Sequence, residues 1–274
     1  MKIGVKIGPA LGPEVAHAAQ EAERAGFDSV WLSERVVIPL DKPHPYEPMV
    51  DPWIGLAYVA AVTERVRLGT SVSQIALRPP VLMAREFVTL DRLSRGRLIV
   101  GAGAGWVIEE FMSTGVGFED RGGRLNEVLR VLKHLFTTPE QPWRGKYFDI
   151  PPVGIVMPHT PGGPPLWVGG LTPAGLRRAA RLADGFIALS RTPEELTATR
   201  DELMRLRERC GRAGEFPIWT QTAPPDDIAG AKELARAWRA AGADGLILTY
   251  AEGVPEGFTA QPDVARALIE EAAG

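Results

Sequence analysis

The sequence lacks most of the residues that announce a chemistry at first sight. One cysteine, Cys210, stands in 274 residues, so no disulfide can form within the chain. Its helical spacing from Leu203 and Leu206 points to packing rather than to a nucleophile. The four histidines, His17, His44, His134 and His159, are scattered with no His-x-His or His-Glu-x-x-His spacing, so no metal site is expected. There is no Gly-x-Ser-x-Gly elbow, which excludes the usual α/β-hydrolase nucleophile. A net charge of −3 gives no basic footprint for nucleic acid. No apolar run is long enough to span a bilayer, and Met1-Lys2 leads directly into an apolar alternation without a signal-peptide pattern. These absences predict a cytoplasmic, reduced globular protein with neither a membrane nor a nucleic-acid partner.

What is present centres on residues 165–185. Leu166, Trp167 and Val168 suit a buried strand. Gly169-Gly170 permits a sharp turn and close backbone approach. Thr172 is a good N-cap and Pro173 a good first helical residue, followed by Leu176, Ala179, Ala180 and Ala183 at helical period. A strand that feeds a freshly capped helix through two glycines aims N–H groups and a positive dipole end at one point, as a phosphate site does. The other reading is a tight turn with no ligand, which any parallel crossover needs.

Around this stretch the chain repeats itself. Ala25-Gly-Phe-Asp28, Leu182-Ala-Asp-Gly185 and Ala241-Gly-Ala-Asp244 each end a helix on small residues, turn at an aspartate and run into an apolar strand. Three such joints argue for repeated αβ units around a parallel sheet, with Asp28, Asp184 and Asp244 in structural roles. Strands are predicted at 2–8, 27–32, 66–72, 97–101, 165–169, 185–189, 216–222 and 244–250, with helices between them. Residues 138–164 break the rhythm, rich in Pro and Gly with Trp143, Tyr147 and Phe148 interleaved; they read as an ordered insertion or lid before strand five, with a hairpin at Arg144-Gly-Lys-Tyr147. The predicted fold is α/β, a single (β/α)8 TIM barrel over 1–274. A doubly wound open sheet is the runner-up; the length and the late phosphate turn favour the barrel.

In a barrel, function sits in the loops that follow the strands. Here these carry Ser33-Glu34-Arg35, Ser71-Val72-Ser73, Gly101-Ala-Gly103-Ala104-Gly105-Trp106, Gly169-Gly-Leu171-Thr172, Ser190-Arg191 and Gln221-Thr222. The alternating glycines at 101–105 are half of a dinucleotide fingerprint and lack its acidic partner. They let a flat ring lie on the backbone, or they relieve a crowded strand end. Arg35 can hold an anion or a carbonyl but is a poor base, and Glu34-Arg35 is otherwise a solvated pair.

Taken in order, these pieces resemble the bacterial-luciferase-like family of barrels, and within it the oxidoreductases that use coenzyme F-420 (F420), a deazaflavin. The resemblance rests on Gly26-Phe-Asp-Ser-Val-Trp-Leu32, Thr63-Glu-Arg-Val-Arg-Leu-Gly-Thr70, Arg78-Pro-Pro-Val-Leu-Met-Ala84, Leu90-Asp-Arg-Leu-Ser-Arg-Gly-Arg97, Gly101-Ala-Gly-Ala-Gly-Trp106 with Glu110, Phe118-Glu-Asp-Arg-Gly122 and Pro164-Pro-Leu-Trp-Val-Gly-Gly170 with Ala183-Asp-Gly185. It implies a cofactor across the C-terminal mouth, its phosphate on Gly169, Gly170, Leu171 and Thr172, with Ala104 and Gly105 flanking its tail or ring edge and Val168 and Gly103 also in the cofactor site. It also implies a non-prolyl cis peptide bond at Ser71-Val72 or Val72-Ser73. Relatives carry Asp-His where Glu34-Arg35 stands, and a catalytic Glu where Trp106 stands. With Glu34, Arg35 and Trp106 in those catalytic positions, the resemblance implies hydride exchange with a larger, more apolar small molecule. Trp31, Trp53, Trp106 and residues 138–164 are expected as walls, and a homodimer as the assembly. An FMN-dependent monooxygenase and a non-catalytic deazaflavin-binding protein are the alternatives.

Overall fold

The computed structural model describes residues 1–8, 12–40, 49–170, 172–250 and 256–274. Leu171, expected in the phosphate turn, lies outside the described residues. Eight parallel strands close into a barrel: β1 (Lys2–Lys6), β2 (Ser29–Leu32), β3 (Arg67–Thr70), β4 (Leu98–Ala102), β7 (Leu166–Gly169), β8 (Gly185–Ala188), β9 (Ile218–Thr222) and β10 (Gly245–Thr249). Around the barrel the order is β1-β10-β9-β8-β7-β4-β3-β2, which closes it and disposes of the open-sheet alternative.

Strand alternation sorts the side chains into two layers. Ile3, Val5 and Ile7 face outward and pack with Val15, Ala18, Ala19 and Ala22 of α1 (Glu14–Ala25). Gly4 faces inward, where an added Cβ would lie 2.6 Å from the Trp31 indole nitrogen. The interior is a separate cluster of Trp31, Ile99, Trp167, Ile187, Trp219 and Ile247. Each tryptophan fills space left by glycines on neighbouring strands: Trp31 that of Gly4 and Gly69, Trp167 that of Gly185, Trp219 that of Gly245. Their rings stand 5.5–5.8 Å apart and plug the barrel.

The helices follow from capping and pattern. Gly26 at φ 92° ends α1. Asp51 accepts from the N–H groups of Trp53 and Ile54 and opens α2 (Pro52–Val62). Further on come α3 (Pro80–Leu93), α4 (Ile108–Thr114), α5 (Arg121–Thr137), α6 (Pro173–Leu182), α7 (Pro193–Arg209), α8 (Ile228–Ala240), α9 (Glu256–Ala260) and α10 (Pro262–Ala273). No described helix is long and apolar enough to cross a membrane. Helix α7 stops at Arg209, so Cys210 caps its end and is exposed; the expected packing role is overturned because the residue falls beyond the periodic face.

The three repeated joints do structural work. The Asp28 carboxylate accepts from Ile3 N at 2.9 Å, Asp184 from Leu166 N at 2.9 Å, and Asp244 from Ile218 N at 2.8 Å. Each aspartate therefore ties the N-terminal end of one strand to the joint before the next. In the insertion, β5 (Trp143–Arg144) pairs antiparallel with β6 (Asp149–Ile150). The Glu127 carboxylate of α5 accepts the N–H groups of Lys146, Tyr147 and Phe148 and holds the hairpin turn. Further along, Thr160 donates to Asp91 of α3 through both its N–H and its hydroxyl. The segment thus lies against α3 and α5.

Candidate functional site

A cavity of about 450 Å3 opens at the C-terminal ends of the strands. Its floor is the inward-facing layer above the tryptophan plug. Lys6, Ser33, Ser71, Gly103, Gly169 and Gln221 belong to that layer, and Ala104, Gly105, Trp106, Gly170 and Thr172 continue it into the loops. Of the expected aromatic walls only Trp106 lines the cavity. Trp31 is fully buried below it, because Gly4 and Gly69 leave it that space. Trp53 is buried against Phe87, with ring centroids 4.4 Å apart. No described residue of 138–164 lines the cavity, since that stretch packs on the outer helices.

The Ser71–Val72 peptide bond is cis, the first of the two expected positions. Ser71 N donates to Leu32 O at 2.8 Å and Ser73 N to Gly101 O at 2.8 Å, so the bulge is tied to both neighbouring strands. The Ser71 hydroxyl is buried with no hydrogen-bond partner, and both Ser71 and Val72 line the cavity. Ser73 does not line it; its hydroxyl donates to Glu34 at 2.6 Å.

The glycines divide into two kinds. A Cβ on Gly101 would sit 1.8 Å from Thr70 O, and on Gly103 2.6 Å from Val72. Gly105, at φ 76°, would press on Phe111. Crowding, the second of the two readings, holds at all three, and Gly103 and Gly105 also line the cavity, as the first reading requires. Gly170 and Gly175 differ: Cβ atoms there would meet only each other's backbone and the Thr172 hydroxyl, none nearer than 3.5 Å, and both glycines line the cavity, Gly170 with a φ of 155°. Thr172 caps α6, its hydroxyl accepting from Gly175 N at 3.1 Å. Val168, on the outward face of β7, is fully buried and does not line the cavity.

The buried arginine Arg178 of α6, which pattern alone did not single out, lines the same cradle. Its Nε donates to Asn126 Oδ1 at 2.6 Å and its Nη2 to Gly122 O at 3.1 Å, and no described carboxylate pairs with it. Burial pushes its pKa down from the ordinary arginine value. The signal was its place three residues after Gly175, on the apolar stripe of the helix.

Glu34 and Arg35 are not a solvated pair. The Glu34 carboxylate accepts from Ser73 Oγ and Gln74 N at 2.6 Å each and from Arg78 Nη2 at 2.7 Å. Burial opposes the charge of Arg78, but the carboxylates of Glu34 and Asp51 hold its pKa above the ordinary value. Arg35 turns to the fully buried Glu110 of α4, 3.0 Å away, and lies with Cζ 5.1 Å from the Trp106 ring centroid. Glu110 also accepts from Val36 N and Gln74 Nε2. Both described carboxylates beside the cavity are thus committed to cations and amides. Among the described residues no cluster of His, Cys, Asp and Glu could hold a metal ion.

The model of the luciferase-like monooxygenase family matches residues 8–272. The chain belongs to that family. An uncharacterised protein of Mycobacterium tuberculosis is 31% identical over 230 residues, 79% of this chain and 79% of that one. A protein of Amycolatopsis mediterranei described as an F420-dependent glucose-6-phosphate dehydrogenase is 32% identical over 228 residues, 80% of this chain and 66% of its own length. Among solved structures, an F420-dependent secondary alcohol dehydrogenase in complex with an F420-acetone adduct superposes with a TM-score of 0.81 at 18% identity, covering 99% of this chain and 98% of that one. The last is a likeness of fold, and it agrees with the luciferase-like TIM barrel read from the sequence.

Proposed function

We propose that this chain is an F420-dependent oxidoreductase that transfers a hydride between the deazaflavin and a small organic substrate in the cavity at the barrel mouth. The observation that carries this reading is the cradle of Gly170, Thr172 and Gly175 on the cavity wall, backed by the buried Arg178 with no described carboxylate partner. Such a cradle suits a phosphate, since a helix N-terminus and an arginine fork both favour an oxyanion. The residues present fit a phosphate-bearing ring cofactor. Gly169, Gly170, Thr172 and Arg178 would hold the phosphate, and Ser71, Val72, Ala104 and Gly105 would border the ring, with the unpartnered Ser71 hydroxyl available to it. When bound, the deazaflavin supplies a two-electron hydride carrier; the protein supplies position and electrostatics. Trp106 walls the mouth. Arg35 is braced by Glu110 rather than free to shuttle a proton, and Glu34 braces the bulge through Ser73.

Calorimetric titration of the purified apoprotein with F420 and, in parallel, with FMN tests the reading. Binding of F420 followed by substrate-dependent change of its absorbance supports it. Preference for FMN with oxygen uptake would establish the monooxygenase alternative, and binding without turnover over a broad panel of alcohols and ketones would establish a carrier. The assembly belongs to the same proposal: α2 and α3 expose Ile54, Leu82 and Leu93 along one groove, which suits a homodimer, and light scattering at micromolar concentration reports its mass.

A further inference from the structure

The inward layer at the barrel mouth holds one ammonium group that the proposed phosphate site does not use. Lys6 ends β1, two residues after the inward-facing Gly4, and lines the cavity floor. Among the described residues its ammonium has neither an ion pair nor a hydrogen bond, while its backbone pairs in the barrel. Among the described residues the carboxylates that line or flank the cavity are occupied elsewhere, Glu34 by Arg78 and Glu110 by Arg35. Arg35 is the charged neighbour felt by Lys6; burial first, and that guanidinium second, lower the lysine's pKa from its ordinary value. A half-buried ammonium beside another cation is an unfavourable arrangement unless a ligand supplies the counter-charge.

The position of Lys6 adds the second observation. In the closed order β1-β10-β9-β8-β7-β4-β3-β2, four steps separate β1 from β7 in either direction. Lys6 therefore stands on the wall diametrically opposite the Gly169–Gly170 turn. A molecule anchored by phosphate at β7 and extended across the floor presents its other end to this ammonium. The floor between them is the apolar plug, which offers little competition for a charged group.

We propose that Lys6 binds a second, negatively polarised oxygen at the end of the ligand remote from its phosphate. This rests on the assignment of the β7 turn to the phosphate. The oxygen belongs either to the cofactor ring or to the substrate, and the chemistry of recognition is the same: a charge-assisted hydrogen bond from the ammonium in a partly desolvated site.

The test compares wild type with Lys6→Met, which keeps the aliphatic stem, and Lys6→Arg, which keeps the charge. Each is titrated by calorimetry with F420 and with the deazaflavin nucleoside that lacks the phosphate. For a ring oxygen, Lys6→Met weakens the nucleoside about tenfold and Lys6→Arg recovers part of the loss, while inorganic phosphate competes with F420 equally well in all three. For a substrate oxygen, deazaflavin affinities stay level and KM for ketones and alcohols rises about tenfold in Lys6→Met on the loaded enzyme. Equal affinities and equal KM in all three proteins would overturn the proposal. If wild type binds neither deazaflavin, the F420 reading fails on its own, and the same three proteins titrated with FMN and riboflavin decide the role of Lys6.

Discussion

The two ends of this barrel use charged residues in opposite ways. At the N-terminal end, Asp28, Asp184 and Asp244 sit at repeated joints, and each accepts a strand N–H. Glu23 behaves likewise, taking the N–H groups of Glu64, Arg65 and Val66. At the C-terminal end, Glu34 and Glu110 are also fully engaged, but Lys6 and Arg178 face the cavity with no described carboxylate, and the Ser71 hydroxyl is buried without a partner. Unpartnered buried atoms also occur away from the cavity, at Arg207 Nη1 and Trp53 Nε1, but the charged and polar groups left over at the mouth converge on one space that another molecule would complete.

Substitutions at the two ends sharpen this contrast. The largest effect is expected from Glu110→Ala, which removes the fully buried partner of Arg35, Val36 N and Gln74. Loss of one half of such a buried pair costs about 3–5 kcal/mol, read as a lower urea midpoint together with lost binding. Asp184→Asn is next. It weakens the hold on Lys133 and the Leu166 N–H, costing about 1–3 kcal/mol while leaving cofactor affinity within twofold by calorimetry. An equal loss of affinity would erase the distinction between the two ends. The smallest change in stability is expected from Gly175→Ala, and with the opposite sign. The new methyl meets only ordinary contacts, so the helix gains about 0.5–1 kcal/mol, yet the cradle is partly filled and phosphate-dependent binding falls. A protein that is both more stable and equally avid would show that Gly175 is not part of the site.

Much of the barrel was legible in the sequence because its signals are local. The Asp joints, the Thr172 cap and the short apolar strands all lie within a few residues of one another, and the family pattern narrowed the cis bond to Ser71–Val72 or Val72–Ser73, of which the structure has the first. The interior was not legible. In a closed parallel barrel both faces of a strand are apolar, so nothing in the order of residues says that Trp31 points inward to the plug while Val30 points out. Trp31 was misassigned as a wall for that reason, whereas Trp53 sits on α2 against Phe87 and Trp106 does line the cavity. The pairings Arg35 with Glu110 and Glu34 with Arg78 join residues 75 and 44 positions apart, and α4, which carries Glu110, is only seven residues long. Lys6 lies inside the strand predicted at 2–8 with nothing in the sequence to single it out; closure of the barrel places it across from Gly169.

The plug of Trp31, Trp167 and Trp219 has an optical consequence. Three of the seven tryptophans of the chain stand in mutual contact directly beneath the cavity floor, shielded from solvent. Flavins and deazaflavins absorb where buried indoles emit, so light taken up by this cluster passes to any such ring resting above it. The barrel carries its own antenna, and the occupancy of its mouth can be followed by ultraviolet emission without a label.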